Sequence, residues 1–175
     1  EAALIGLNLA PGMNRNFVSE NWPMIPRRFW RDARKETHNR AEYNRSLDLT
    51  GTDIDNKMIQ IARKNAAAAG VEHCIHFQTR PLSELSSRKK YGKIICNPPY
   101  GERLGQRREA EKLYREMGTV FKKLDTWSFY ILTAGDNFES LFGRGASKRR
   151  KLYNGNIKVH YYQYYGPRPP RPFNG

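Results

Sequence analysis

The sequence predicts an α/β fold: a mostly parallel mixed sheet with helices on both faces, closed by a C-terminal antiparallel hairpin. Three observations carry this expectation. Short apolar strand patterns alternate with helical patterns through the middle of the chain. Two of those strands end in polar groups, Asp53 and Asn97, at the position where open α/β sheets carry their ligands. The last segment changes to two strand patterns joined at Asn154-Gly155, a pair suited to the positive φ values of a type I′ turn.

The elements follow in order. Residues 1–12 read as the tail of a helix, with Ala3, Leu4, Leu7 and Ile5 toward one face and Pro11-Gly12 as its stop. Residues 13–46 form an aromatic and basic insert, expected as a packed loop or short helices. Its Trp22, Phe29 and Trp30 are expected in the core. Residues 47–166 carry the sheet and its helices. "SLDLTGTDID" is a strand ending at Asp53, and Asp55 caps a helix over "NKMIQIARKNAAAA" that Gly70 stops. "CIHFQT" is the next strand, "PLSEL" a short turn and "KIIC" a buried strand. The helix "EAEKLYREMGTVFKKL" puts Leu113, Met117, Val120, Phe121 and Leu124 on one stripe, and "WSFYILTA" is another buried strand. Residues 167–175 are a proline-rich flexible tail.

Composition narrows the partners. The formal net charge is +14, and the basic residues are interleaved with 10 Tyr, 8 Phe and 3 Trp. That balance favours a polyanion, nucleic acid above all. No apolar run approaches the length of a membrane span, and the start lacks a basic leader. The two cysteines, Cys74 and Cys96, sit in apolar runs and are expected as core residues of a reducing, cytoplasmic compartment. The four histidines have no metal-ligand spacing, so no metal is expected.

The strand ends carry the chemistry. An acid such as Asp53 at a strand end in a nucleotide-type fold accepts hydrogen bonds from ribose hydroxyls, and Asp55 leaves it free by taking the helix cap. At the other end the chain leaves its strand through Asn97-Pro98-Pro99-Tyr100. An exocyclic amine on a base is a poor nucleophile because its lone pair is delocalised. Two acceptors aimed at its hydrogens free that pair. Asn97 has a side-chain carbonyl, Pro98 a main-chain carbonyl stiffened by the second proline, and Tyr100 a ring on which a flipped base can stack.

These residues carry a resemblance. "LTGTDID" and "ICNPPYGERLG" resemble the second and fourth motifs of class I S-adenosylmethionine-dependent methyltransferases that modify exocyclic amino nitrogens. "GRGASKRRKLYNGNIKVHYYQY" resembles the bacterial family that methylates N2 of a guanine in 23S ribosomal RNA. "EAALIGLNLAPG" is similar to the segment after that family's glycine-rich first motif. The resemblance covers nearly the whole chain. It implies a Rossmann-like catalytic domain, S-adenosyl-L-methionine as cofactor and RNA as partner, ribosomal RNA first. Asn97, Pro98 and Tyr100 are then the expected catalytic residues, and Asp53, Ile54 and Asn97 the cofactor-binding ones. Arg103, Arg107, Arg108, Lys148, Arg149, Arg150 and Lys151 are the expected RNA contacts.

Two departures and three alternatives stand beside it. "QTRPLSEL" has no acid after the third strand to meet the adenine amino group. The family's glycine-rich motif, and the first strand before it, are also missing from this sequence, as is its N-terminal THUMP RNA-binding domain. The chain by itself is therefore expected to bind the cofactor weakly and to be inactive. An adenine-N6 methyltransferase on DNA or RNA, a transfer-RNA guanine-N2 methyltransferase and a non-catalytic RNA-binding module remain open.

Overall fold

The computed structural model describes residues 1–101 and 106–171. They form two compact units, Glu1–Arg80 and a second beginning at Pro81.

The first unit contains α1 (Ala2–Gly6), a 3-10 turn (Val18–Asn21), α2 (Arg27–Arg40), β1 (Leu49–Asp53), α3 (Asn56–Ala68) and β2 (Ile75–Thr79). β1 and β2 run parallel, in register from Leu49↔Ile75 to Asp53↔Thr79. Asp55 caps α3 by accepting the Lys57 N–H at 2.8 Å, as its sequence implies. Ala3 and Leu7 of the α1 segment bury against Ala66 and Val71, with Leu47, Leu49, Ile75 and Phe77 packed around them.

The insert differs from expectation. It holds a 14-residue helix, α2, with no buried residue. Trp22 and Phe29 are 52% and 55% exposed, so they are not core. Only Trp30 is tucked in, stacked on Phe17 at 5.8 Å. Polar ties dock this helix. Arg34 donates to the Met13 and Arg15 carbonyls, each at 2.9 Å, and to Glu20 Oε1 at 2.6 Å. Glu20 also accepts the Phe17 N–H at 2.9 Å, and that bond, with Arg34, holds its carboxyl below the usual range.

The second unit contains β3 (Lys93–Cys96), α4 (Gln106–Phe121), β4 (Ser128–Thr133), α5 (Phe138–Phe142), β5 (Lys148–Asn154) and β6 (Ile157–Tyr164). Its sheet has the order β3-β4-β6-β5, parallel between β3 and β4 and antiparallel beyond. Ile94, Cys96, Phe129, Ile131, Tyr162 and Tyr164 meet Tyr114, Met117, Phe121, Phe138 and Phe142 in one core. Phe121 stacks on Phe129 with centroids 4.7 Å apart. β3 is not buried on both sides: Ile95 is 75% exposed. The strands thus divide between two sheets, and β1 and β3 each pair along one edge only among the described residues.

The closing hairpin is as read, but its turn is not. Asn154 pairs with Ile157, so Gly155 and Asn156 are the central residues. Only Gly155 among them has positive φ, at +60°, which is the type II′ pattern.

α4 and α5 cross at Gly118. A Cβ there would overlap the Phe142 carbonyl, a backbone group that no rotamer change can move. Gly118→Ala should therefore lower stability by about 1–3 kcal/mol, the scale of overpacking a close contact. Thermal unfolding of the two proteins tests this, and an unchanged midpoint would mean that the helices separate at no cost.

Candidate functional site

The acceptor turn belongs to the second unit. β3 ends at Cys96 because Pro98 and Pro99 cannot donate to a ladder. The Asn97 side chain is exposed and makes no hydrogen bond among the described residues. Pro98 is buried beneath it. The next carbonyl, Pro99 O, accepts from the Tyr114 hydroxyl at 2.9 Å. Tyr114, 2% exposed on α4, lies 2.8 Å from Thr133 Oγ1 at the end of β4. Gly101 then turns back with φ +71°, and a Cβ there would lie 2.8 Å from the Arg107 Cα. The turn is therefore seated on the start of α4.

Tyr100 is placed differently from a freely projecting platform. Its ring is half-buried, and its hydroxyl is buried without a hydrogen-bond partner among the described residues. Cys96 is no nucleophile, since burial pushes its thiol up to about 12. Burial likewise raises the Tyr114 phenol, so it stays protonated. The site thus offers two carbonyl acceptors, Asn97 Oδ1 and Pro98 O, which match the two hydrogens of an amino group.

The carboxylate belongs to the first unit, at the end of β1. Asp53 is not wholly free. Its Oδ1 accepts the Asp55 N–H at 2.8 Å, while Oδ2 has no partner among the described residues. The Asp53 carbonyl accepts the Arg80 N–H at 2.8 Å, which uses up a main-chain donor near the expected adenine position. Ile54 beside it is 74% exposed. A pinned carboxylate with one open oxygen, next to an uncovered apolar side chain, fits a ribose diol and its flat base. Two hollows of this unit, about 520 and 380 Å³, are lined by neither residue.

The cations are spread over separate surfaces of the second unit. Arg107 and Arg108 are exposed at the start of α4, with Arg107 3.4 Å from Glu111. Lys148, Arg149, Arg150 and Lys151 lie exposed along the edge strand β5 on alternating faces. Arg149 is 3.4 Å from Glu139. Arg103 lies outside the described residues. Among the described residues no cluster of His, Cys, Asp and Glu could hold a metal, and no helix is long and apolar enough to cross a membrane.

Tyr114 and Thr133 were not anticipated. The available signal is a tyrosine inside an otherwise apolar buried stripe, Ala110, Tyr114, Met117 and Phe121, because a buried phenol needs a partner.

Comparison with known proteins gives consistent matches. Residues 1–163 match the family described as RMKL-like, methyltransferase domain. YpsC of Bacillus subtilis (strain 168), provisionally named an RNA methyltransferase, is 49% identical over 98% of this chain and 45% of its own length. The ribosomal RNA large subunit methyltransferase K/L of Marinobacter nauticus is 34% identical over 90% of this chain and 23% of its own. The crystal structure of SMU.472 complexed with SAH superposes with a TM-score of 0.92 at 46% identity, covering 97% of this chain and 45% of that one. The chain thus spans less than half the length of these relatives.

One titratable group sits beside the turn's supports. His160 pairs across the sheet with Thr133. Its ring is buried, and its Nδ1 has no hydrogen-bond partner among the described residues and lies 3.8 Å from the Asp136 carboxylate. Burial lowers its pKa below 6.5, helped by Arg149, Lys158 and Lys151 and opposed by Asp136. The unfolded chain therefore takes up this proton first. The contribution of His160 to stability is complete above about pH 6.5 and is lost as pH falls toward the depressed folded value. The unfolding midpoint should drop between pH 7 and pH 5, and drop less in His160→Gln. Equal slopes in the two proteins would remove His160 as the cause.

Proposed function

The chain belongs to the RMKL-like methyltransferase domain family, and from that premise we propose that it carries the machinery for methyl transfer from S-adenosyl-L-methionine to an exocyclic guanine N2 in RNA, large-subunit ribosomal RNA first. The observation that carries the reading is the turn at Asn97: a side-chain amide unengaged among the described residues, beside the carbonyl of a buried proline, at the end of a parallel strand. Asn97 Oδ1 and Pro98 O accept the two amino hydrogens and draw the nitrogen toward a pyramidal geometry with an available lone pair. The half-exposed ring of Tyr100 offers a face for the base. Asp53 Oδ2 accepts from the cofactor ribose, and Ile54 packs beside it. Bound S-adenosyl-L-methionine supplies an electrophilic methyl group. No strong base is required, because the acceptors act by position and charge, and the proton of the methylated nitrogen, then strongly acidic, would pass to water. The exposed cations of β5 and α4 neutralise phosphates without reading sequence.

Support for RNA comes from the charge of +14 and from the names of the relatives; support for an amino nitrogen comes from the turn. The test is transfer of labelled methyl to total RNA and to DNA by the protein as its gene encodes it, followed by digestion to nucleosides. N2-methylguanosine from RNA is expected. N6-methyladenine from DNA would overturn the reading.

The assigned roles can be tested at two points. Asn97→Ala should reduce turnover by about 10²- to 10³-fold, the scale of one preorganised polar group, with RNA affinity nearly unchanged. A variant that keeps most of its turnover removes Asn97 from the chemistry. Neutralising Arg149, Arg150 and Lys151 together should weaken binding to every RNA. It should also flatten the dependence of log K on log salt by about 0.7–0.9 for each phosphate that is no longer neutralised. An unaltered slope would identify the run as a solvated strand edge.

A further inference from the structure

Taking the reading of the Asn97 turn as its basis, we propose that Tyr114 and Thr133 are positioning residues that fix the Pro98 carbonyl acceptor. Proton counting sets the direction of the bonds. Tyr114 has one hydroxyl hydrogen, and Pro99 O, a pure acceptor, takes it at 2.9 Å. The contact to Thr133 Oγ1 at 2.8 Å must then be donated by the threonine. Thr133 Oγ1 in turn faces the Gly135 N–H at 3.4 Å. The relay therefore has one direction: Gly135 N–H to Thr133, Thr133 to Tyr114, Tyr114 to Pro99. Each donor polarises the next, and both hydroxyls are buried, with Thr133 at 0% exposure.

The relay stops one residue short of the acceptor, and the proline ring covers the gap. Holding Pro99 O fixes ψ of Pro99, and the ring itself fixes φ. The peptide carrying Pro98 O then has little freedom left. A residue other than proline at position 99 would let the grip slacken. Tyr114 comes from α4 and Thr133 from β4, so the acceptor is referred to the rigid core and not to its own loop. Tyr114 is further braced by Phe138, edge-on at 5.0 Å.

Tyr114→Phe keeps the ring and deletes the hydroxyl. In the protein as its gene encodes it, turnover should fall about tenfold while KM for RNA and for cofactor stays within about twofold, the effect of losing one hydrogen bond used in positioning. Amide exchange at Tyr100 and Gly101 should accelerate, with β3 and β4 unaffected. Thr133→Val should behave like Tyr114→Phe, Thr133→Ser should keep near-normal turnover, and the double variant Tyr114→Phe/Thr133→Val should be little worse than either alone. Should Tyr114→Phe fold poorly, the Thr133 pair decides: equal turnover in Val and Ser overturns the proposal, as does unchanged exchange at Tyr100 and Gly101. Should the unaltered protein transfer no methyl group, the proposed function fails, and the exchange measurement still decides whether the relay holds the turn.

Discussion

The ring constraint at Pro98 and Pro99 is what the rest of the second unit is arranged around. Two residues without N–H groups end β3 and leave nothing for a further ladder. Their carbonyls remain, and they are treated differently. Pro99 O is taken by a buried phenol, while Pro98 O receives no backbone donor among the described residues. Satisfying the first is a structural necessity, because Tyr114 is buried in an apolar stripe and its hydroxyl has to be paired. In the proposed function the second is the one that accepts the amine. The aromatic core of Phe121, Phe129, Phe138 and Tyr162 supplies the stiffness on which that difference rests.

The first unit solves a different problem. Its helix α2 begins with Arg27 and Arg28 and has no acid in its first turn, so cations sit at the positive end of the helix dipole at a cost of about 0.3–1 kcal/mol each. It buries no residue completely, and the stacking of Trp30 on Phe17 is its main apolar contribution. Docking rests on Arg34, whose guanidinium fork meets two carbonyls and one carboxylate at once. Conversion of Arg34 to lysine would keep the charge and lose the fork. The same concentration of charge that suits a polyanionic partner is thus a strain on this helix, and a single side chain absorbs it.

Much of this was legible in the sequence. Strands β3 and β4 were readable as short apolar runs, β2 by its alternation of apolar and polar residues, β1 by its β-branched threonines and the acid that ends it, and α3 because Asp55 and Gly70 mark its ends. Asn97 and Asp53 were visible because they end such strands. Other features were hidden for physical reasons. α2 has few apolar residues, and polar ties hold it in place. α5 is only five residues, too short for a period to appear, yet its Phe138 and Phe142 are core. The turn type depended on register, and moving the central pair from Asn154-Gly155 to Gly155-Asn156 changed type I′ to II′. Trp22 and Phe29 look like core in composition alone, because hydrophobicity says nothing about which side of a segment has a neighbour. Tyr114 was read as one more position in a helix. Its role comes from a hydroxyl direction that only the fold supplies.

In the proposed reaction the three acceptors differ in how much freedom each must give up. Pro98 O has almost none to lose, with φ of the next residue locked and its ψ held through Tyr114. Asp53 has lost part of its own, because Oδ1 is committed to the Asp55 N–H and only Oδ2 is open. Asn97 is exposed and unengaged, so fixing its rotamer on binding costs side-chain entropy, up to about 1–2 kcal/mol for a flexible polar side chain. An amide that pays this only when an amine is present binds the resting base weakly. It binds more strongly as the nitrogen pyramidalises and its hydrogens gain positive charge. The gain is then concentrated in the transition state, where it raises turnover, and not in the ground state, where it would only tighten binding. A rigid carbonyl beside a free amide is therefore a better pair for this chemistry than two rigid acceptors, because the first sets where the nitrogen sits and the second responds to what it becomes.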